Sequence, residues 1–424
     1  MLMFLIKGLI RDRHRSLVPL IVVSLGVALV VLGFCYMHGA LDEVVRSSAK
    51  LDTGHVKVMT RGYREIASQL PNDLAVRNLG EIRARLERTY PRLAWAPRIK
   101  FGGLLDIPDE SGETRAQGPA MGIALDLLVG HSGEIERLQL DKALVRGRLP
   151  GERREILVSE DFAERLGAGP GDTATLIGST AYGSLSAENF VIAGTIRFGI
   201  EALDRNMVVA DIGDMQFTLD MEDAASEILG FFPNLIYDET WADTLARGFN
   251  AREGARGGAD APVMVTLREQ SGLGEYLDLI GFQTSFVLII FFIVMSVMLW
   301  NSGLMSGIRR YGEIGVRLAI GESKTGVYAA MLSESIVIGL IGSAVGTAGG
   351  LAVAHYLEVH GMDISGMTKG SSIIMANVIR ARITPASWYI GFIPGLLATV
   401  TGTAIAGIGI FKRQTARLFK ELEA

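Results

Sequence analysis

The sequence predicts an α-helical membrane protein with four transmembrane helices and one large mixed α/β domain outside the cytoplasm. Three observations carry this reading. Four uncharged apolar segments, residues 17–37, 282–308, 335–354 and 383–411, are each long enough to cross a bilayer. About 20 helical residues cover the roughly 30 Å of hydrocarbon. More than 200 residues separate the first segment from the second, enough for one or two small domains. Finally, 49% hydrophobic residues are too many for an ordinary soluble protein, whereas 21% charged residues are too many for a chain lying wholly in lipid.

Charge sets the orientation. The amino-terminal tip, the loop 309–334 and the carboxy-terminal tail together hold 12 basic and 6 acidic residues, whereas residues 38–281 hold 26 basic and 38 acidic ones. Basic loops stay inside. Both termini and the 309–334 loop are therefore expected in the cytoplasm, and the acidic domain outside, in the periplasm.

The elements follow in order. Residues 1–16 alternate Phe4, Leu5, Ile6, Leu9 and Ile10 with Lys7, Arg11, Arg13 and Arg15, the pattern of an amphipathic helix at the inner leaflet. The first span, 17–37, carries the single cysteine, Cys35, preceded by Phe34 where a lipidation site needs a small residue. The run also exceeds a signal-peptide core and lacks a small-x-small site, so an uncleaved anchor is expected. Residues 38–281 form the α/β domain, with two subdomains and no cysteine to staple it.

Within that domain, residues 79–90 and 159–166 read as helices, the latter with Ser159 in the capping position. Residues 98–107, 173–177, 190–196 and 206–210 read as strands, and the glycine-rich residues 250–262 as a loop. Residues 266–283 contain few breakers and predict one long stalk helix running into the second span, 282–308. The coupling loop 309–334 leads to the third span, 335–357. A short outer loop, 358–384, precedes the fourth span, 385–411, with a kink expected at Pro394-Gly395. Residues 412–424 form the tail. Gly339, Gly342, Gly346 and Gly350 recur at three- or four-residue spacing in the third span, which predicts close helix packing.

Several chemistries are excluded. No span carries a charged residue or histidine in its central region, which disfavours an ion-coupled carrier. His355 and His360 do not have the spacing of a zinc motif, and Gly321-Glu322-Ser323-Lys324-Thr325 lacks the glycines of a phosphate-binding loop. No catalytic residue, metal site, cofactor or nucleic-acid surface is expected on this chain.

The string Arg309-Arg310-x-x-Glu313-Ile314-Gly315-x-Arg317-x-Ala319-x-Gly321, followed by Glu334 and the glycine-rich third span, resembles the permeases of MacB/FtsX-type ABC transporters. The nearest likeness is to their lipoprotein-releasing (LolC/LolE-like) subgroup. Thr53-Gly54-His55-Val56-Lys57-Val58, Gly147-Arg148, residues 156–159, Leu166-Gly167 and Gly171-Asp172 extend the resemblance through the outer domain.

The resemblance implies a type VII ABC transporter-like architecture in a bacterial inner membrane. Two permease chains pair, as a homodimer or heterodimer, with two copies of a separate ATPase subunit that binds ATP and Mg. The coupling residues carried over are Arg309, Arg310, Glu313, Ile314, Arg317, Gly321 and Glu334. The three arginines are placed near one face of a short helix, a turn from Glu313, where they meet either the ATPase or lipid phosphates. His55 and the bases near it are expected on the domain surface. The expected function is ATP-driven extraction of a lipoprotein or other amphipathic substrate from the outer leaflet. The alternatives are a mechanical transmitter acting on a periplasmic partner such as a cell-wall enzyme, an efflux assembly for peptides or small molecules, and a scaffold without ATPase coupling, which the loop motif disfavours.

Overall fold

The computed structural model describes residues 13–130, 132–253, 257–270, 272–309, 311–363 and 378–412. The expected amphipathic segment (apart from its last residues), Arg310 and the tail beyond Lys412 lie outside the described residues. The chain forms two compact units, an α/β unit within 43–277 and a helical unit drawn from 13–42, 278–363 and 378–412.

Helix α1 (Arg13–Ser48) opens the described chain, and its last turns, extended by a π-helical turn at Ala49–Thr53, belong to the α/β unit. In chain order follow β1 (Val56–Thr60), β2 (Val76–Arg77), α2 (Leu79–Thr89), β3 (Ala94–Pro108), β4 (Thr114–Leu125), α3 (Glu134–Leu138), β5 (Leu144–Gly147), β6 (Glu155–Ser159) and α4 (Glu160–Leu166). Then come β7 (Thr173–Ser179), β8 (Leu185–Ile196), β9 (Met207–Asp211), α5 (Ile212–Thr218), β10 (Ala224–Ala225), β11 (Glu227–Phe231), α6 (Glu239–Glu253) and β12 (Pro262–Thr266).

Ten strands join in the order β12-β1-β11-β3-β4-β9-β6-β8-β5, and β7 pairs with both β3 and β8. That double pairing closes β3-β4-β9-β6-β8-β7 into a six-stranded ring. Strand β3 serves both halves of the unit. Its first residues, Ala94 to Arg98, face β11 in the antiparallel arm, and from Ile99 onward it faces β4 in the ring. The core includes Leu105, Ile156, Phe190 and Val208 from the ring, Phe162 from α4, and Leu86, Trp95 and Phe249 from the arm and its helices. Each such side chain contributes about 1.5–3 kcal/mol on full burial. Helix α4 lies on the ring because Gly118 has no side chain, since a Cβ there would sit 2.9 Å from the Phe162 ring.

Two sequence expectations need correction here. Ser159 occupies the capping position of α4, but its buried hydroxyl makes no hydrogen bond to the helix. The favourable end charges are instead Glu160 and Asp161 in the first turn, and Gly167 at φ +60° closes the helix. Residues 266–283 are not one helix either. Strand β12 pairs with β1 through Thr266, a capping box joins Thr266 to Glu269, and Gly272 at φ +68° precedes the helix proper.

The helical unit contains α7 (Leu273–Arg309) from Asp278 onward, α8 (Tyr311–Ala319), α9 (Lys324–His360), the pair β13 (Met362–Asp363) and β14 (Val378–Ile379), and α10 (Phe392–Lys412). Four stretches among the described residues are long and apolar enough to span a membrane: Leu17–Thr53, Leu273–Phe291, Lys324–His360 and Pro385–Ile405. Tyr356, Trp388 and Tyr389 are exposed at the ends of the last two, the placement of an interfacial aromatic belt. No kink occurs at Pro394. It lies in the first turn of α10, where its missing N–H breaks no helical bond. The chain bends before it, through the capped turn Pro385–Trp388 and Gly391.

Candidate functional site

In the coupling segment Arg309 is the last described residue of α7, and Glu313, Ile314 and Arg317 belong to α8. The side chains of Arg309, Glu313 and Ile314 lie outside the description, as does Arg310 entirely. Arg317 is described, and its partner is Glu322. The guanidinium donates from Nε to Oε2 at 2.7 Å and from Nη2 to Oε1 at 2.9 Å, closing a two-pronged pair across the turn after α8.

Gly321 makes that turn at φ +101°, a conformation that only glycine adopts without strain. Ser323 then caps α9 by accepting the Gly326 N–H at 3.1 Å. Leu318 packs under the turn against Val327 and Met331, which ties α8 to α9, while Val316 and Ile320 stay exposed. Glu334 is half-buried one and a half turns short of the glycine face.

The glycines make contacts within the chain. Gly342, Gly346 and Gly350 face α1, where added Cβ atoms would lie 2.7 Å from Val23, 2.8 Å from Val27 and 2.8 Å from the Ala28 carbonyl. Gly339 faces α10, where a Cβ would lie 2.5 Å from Thr399 Oγ1. Gly391, just before α10, lies against Val27 and Thr347, and Gly395 within α10 lies against Ser343. Lipid offers no hydrophobic drive between helices, so this close approach supplies dispersion contact instead. The loop before α10 is held on α1 by Arg382, whose N–H donates to the Cys35 carbonyl at 2.9 Å and whose guanidinium pairs with Asp42.

The α/β unit holds a second constellation that sequence reasoning missed. Arg98, fully buried on β3, donates to Glu134 Oε2 at 2.7 Å, to the Leu51 carbonyl at 2.8 Å and to the Lys50 carbonyl at 2.7 Å. It thereby satisfies carbonyls that the π-helical turn leaves without helical donors. Arg137 pairs with the other Glu134 oxygen and lies 3.9 Å over the Phe231 ring.

Beside this, Lys57 Nζ lies 2.7 Å from Glu227 Oε2, while Lys100 pairs with Asp52 and sits 3.1 Å from Glu227 Oε1, out of hydrogen-bonding alignment. Burial alone would raise Asp52, but Lys100 and Lys57 outweigh it and hold the carboxyl below its ordinary range. Burial opposes Lys100, yet Glu227 and Asp52 raise it above its ordinary value. Arg98 is pushed down to about 10 by burial, with Glu227 and Asp52 pulling the other way.

The expectation of a surface His55 is wrong. The ring is fully buried, Nδ1 accepts the Phe232 N–H at 2.9 Å, and it stacks on Phe232 at 5.0 Å. Burial pushes it down to about 4, so the imidazole is neutral. Lys57 is buried as well: β1 lies between β11 and β12, and every residue of the strand is buried. The available signal was weak: a basic residue alternating with Val56 and Val58 reads as the open face of an edge strand.

A family model described as the MacB-like periplasmic core domain matches residues 16–237, more than half of the chain. The chain belongs to this family. A second model, the FtsX-like permease C-terminal, matches residues 285–415. Two relatives named lipoprotein-releasing system transmembrane protein LolC, from two strains of Xylella fastidiosa, are each 23% identical, over 351 and 353 residues. Both alignments cover 81% of this chain and 77% of the relative. The periplasmic region of MacB from Actinobacillus actinomycetemcomitans covers 53% of this chain and 97% of its own length at 10% identity, with a TM-score of 0.36, too loose a likeness to carry an argument. The protein is thus an ABC transporter permease of the MacB/FtsX/LolC type. Its four apolar helices and large α/β domain agree with the type VII architecture expected from the sequence.

Proposed function

We propose that this permease resides in a bacterial inner membrane and works with a separate ATPase to extract a lipid-anchored protein, or a similar amphipathic substrate, from the outer leaflet. The observation that carries the reading is the similarity to the LolC proteins across 81% of the chain, spanning both membrane and α/β segments. Two permease chains, as a homodimer or heterodimer, and two ATPase copies complete the assembly.

The ATPase docks on the turn between α7 and α9. Two features support this. The turn is preformed, by the Arg317–Glu322 pair and the Gly321 conformation, and it presents the exposed Val316 and Ile320 beside the charged pair. A preformed surface loses little entropy on association. Arg309, Arg310, Glu313, Ile314 and Glu334 contribute to the same surface or support it.

The test is co-purification of the ATPase with the full chain. Arg317→Glu, alone and with Arg309→Glu and Arg310→Glu, should release the ATPase while the permease still reaches the membrane. Retention at the wild-type level would overturn the docking assignment. The lipid-anchored cargo is tested separately, by whether a lipidated protein is enriched with the wild-type complex over one carrying the loop variants.

A further inference from the structure

We propose that the α/β unit contains a binding cavity for a neutral single-chain amphiphile, one apolar chain with a hydroxyl or amide head. The cavity measures about 440 Å³ and is lined entirely by residues of this unit, within the roughly 300–1,000 Å³ of small-molecule sites. Its walls are apolar and adaptable, with Met59, Phe101, Met121, Ile123, Met207 and Val265. Thioethers on unbranched chains fill irregular space and accommodate varied ligands. Met121 is 54% exposed, which leaves a mouth to the surface.

The other end is polar and incompletely satisfied. Gln270 donates both amide hydrogens, to the Thr53 carbonyl at 3.2 Å and the Thr266 carbonyl at 3.0 Å, which fixes its orientation. Its Oε1 is then left buried without a hydrogen bond, as is the Tyr63 hydroxyl, while Glu227 Oε1 has only the charge contact with Lys100 at 3.1 Å. All three residues line the cavity. Buried polar groups are costly to leave unpaired, so these atoms select a ligand that pairs them.

Two of the three accept only, so the ligand head must donate. A hydroxyl or amide N–H does so. A fatty acid carboxylate brings acceptors alone, and brings them to an end already holding Asp52 and Glu227 with their cations spent on them. Leu51 and Asp52 belong to both the lining and the π-helical turn, so an occupant touches the segment that continues α1. Such turns recur at functional sites.

The experiment uses the full chain in nanodiscs, a medium-chain monoacylglycerol carrying a diazirine in its chain, and mapping of adducts by mass spectrometry. Adducts are expected on Met59, Phe101 or Met121. The unlabelled alcohol of the same chain length should compete at least tenfold better than the matched fatty acid. Met121→Trp, which plugs the mouth from an exposed position, should lower cavity labelling at least tenfold. Tyr63→Phe deletes only an unpaired hydroxyl, so it should weaken labelling severalfold while leaving the melting temperature unchanged or raised. Labelling confined to the exposed faces of the spans, or unchanged by Met121→Trp, would overturn the cavity. Competition by the fatty acid equal to that of the alcohol would overturn the head-group assignment. Neither result bears on ATPase docking or cargo release, which are read on the other unit and in other assays.

Discussion

Arg98→Met offers a sharp test of the clamp on the end of α1. The substitution keeps the apolar stem and removes three hydrogen bonds of 2.7–2.8 Å. It leaves Glu134, which is fully buried, with Arg137 as its only described cationic partner. Breaking a buried ion pair from one side costs about 3–5 kcal/mol. The stranded Lys50 and Leu51 carbonyls would add about 1–3 kcal/mol each if they stayed buried. These terms are coupled and the turn can swing toward water, so their sum overcounts. The expected local loss is therefore about 3–5 kcal/mol, or roughly two to nearly four orders of magnitude in an opening equilibrium.

Hydrogen exchange on the full chain in nanodiscs reads this directly. The Gly54 N–H, bonded to the Ala49 carbonyl at 2.9 Å, and the Leu267 N–H, bonded to the His55 carbonyl at 3.1 Å, should exchange faster by that factor. The Ala168 N–H, in the ring part of the unit and bonded to Ala163 at 2.9 Å, should not change. Adding Glu134→Leu to Arg98→Met removes the stranded carboxylate and should recover part of the loss. Unchanged exchange at Gly54, or equal acceleration at Ala168, would refute the clamp.

The remaining predictions concern packing, pH and the coupling turn. Gly346→Val places a side chain against the Ser24 carbonyl and Val27, so α1 and α9 must separate at a cost of about 1–3 kcal/mol, whereas Gly349→Ala enters open space and should be near neutral. Paired thermal melts in nanodiscs check this, and equal melting of the two variants would contradict the face assignment. His55 has an ordinary value of 6.5 and a folded value of about 4, so the unfolded chain takes up a proton first as pH falls. Its contribution is complete above pH 6.5 and declines by about 3 kcal/mol as pH falls to 4. Exchange at the Phe232 N–H should rise over that window in the wild type, and a His55→Gln variant should lose most of the dependence. Arg317→Glu, as described above, should release the ATPase.

The membrane half was legible because apolar runs and charge bias act over twenty residues at a time and need no knowledge of partners. The glycine spacing in α9 likewise marked a packing face, although nothing in the sequence showed that α1 and α10 supply the contacts. The α/β half was legible only in its local elements. The β7–β8 hairpin is local, but the ring closes only through β7 on β3, with Leu104 opposite Ile177, far apart along the chain. Pairing of that range leaves no periodic trace.

The buried ions were missed for a related reason. Lys57, Arg98 and Lys100 sit in strands whose alternation suits a solvated face, and only the long-range neighbours β11 and β12, together with the π-helical turn, enclose them. The start of α7 was misplaced because one glycine, Gly272, is a weak signal in sequence, whereas in the fold its φ of +68° breaks the chain before Leu273. Pairing of β12 with β1 holds Thr266 extended, and the capped turn Leu267–Glu269 follows it.

The central claim, ATP-driven release of a lipid-anchored protein, is tested most directly by reconstitution. The permease, its ATPase and a fluorescent lipidated protein are placed together in nanodiscs, and soluble fluorescence is followed after ATP is added with a soluble acceptor for the lipid anchor. The account predicts release that requires ATP and is lost with Arg317→Glu. Steady ATP hydrolysis with the lipidated protein remaining in the bilayer would contradict it.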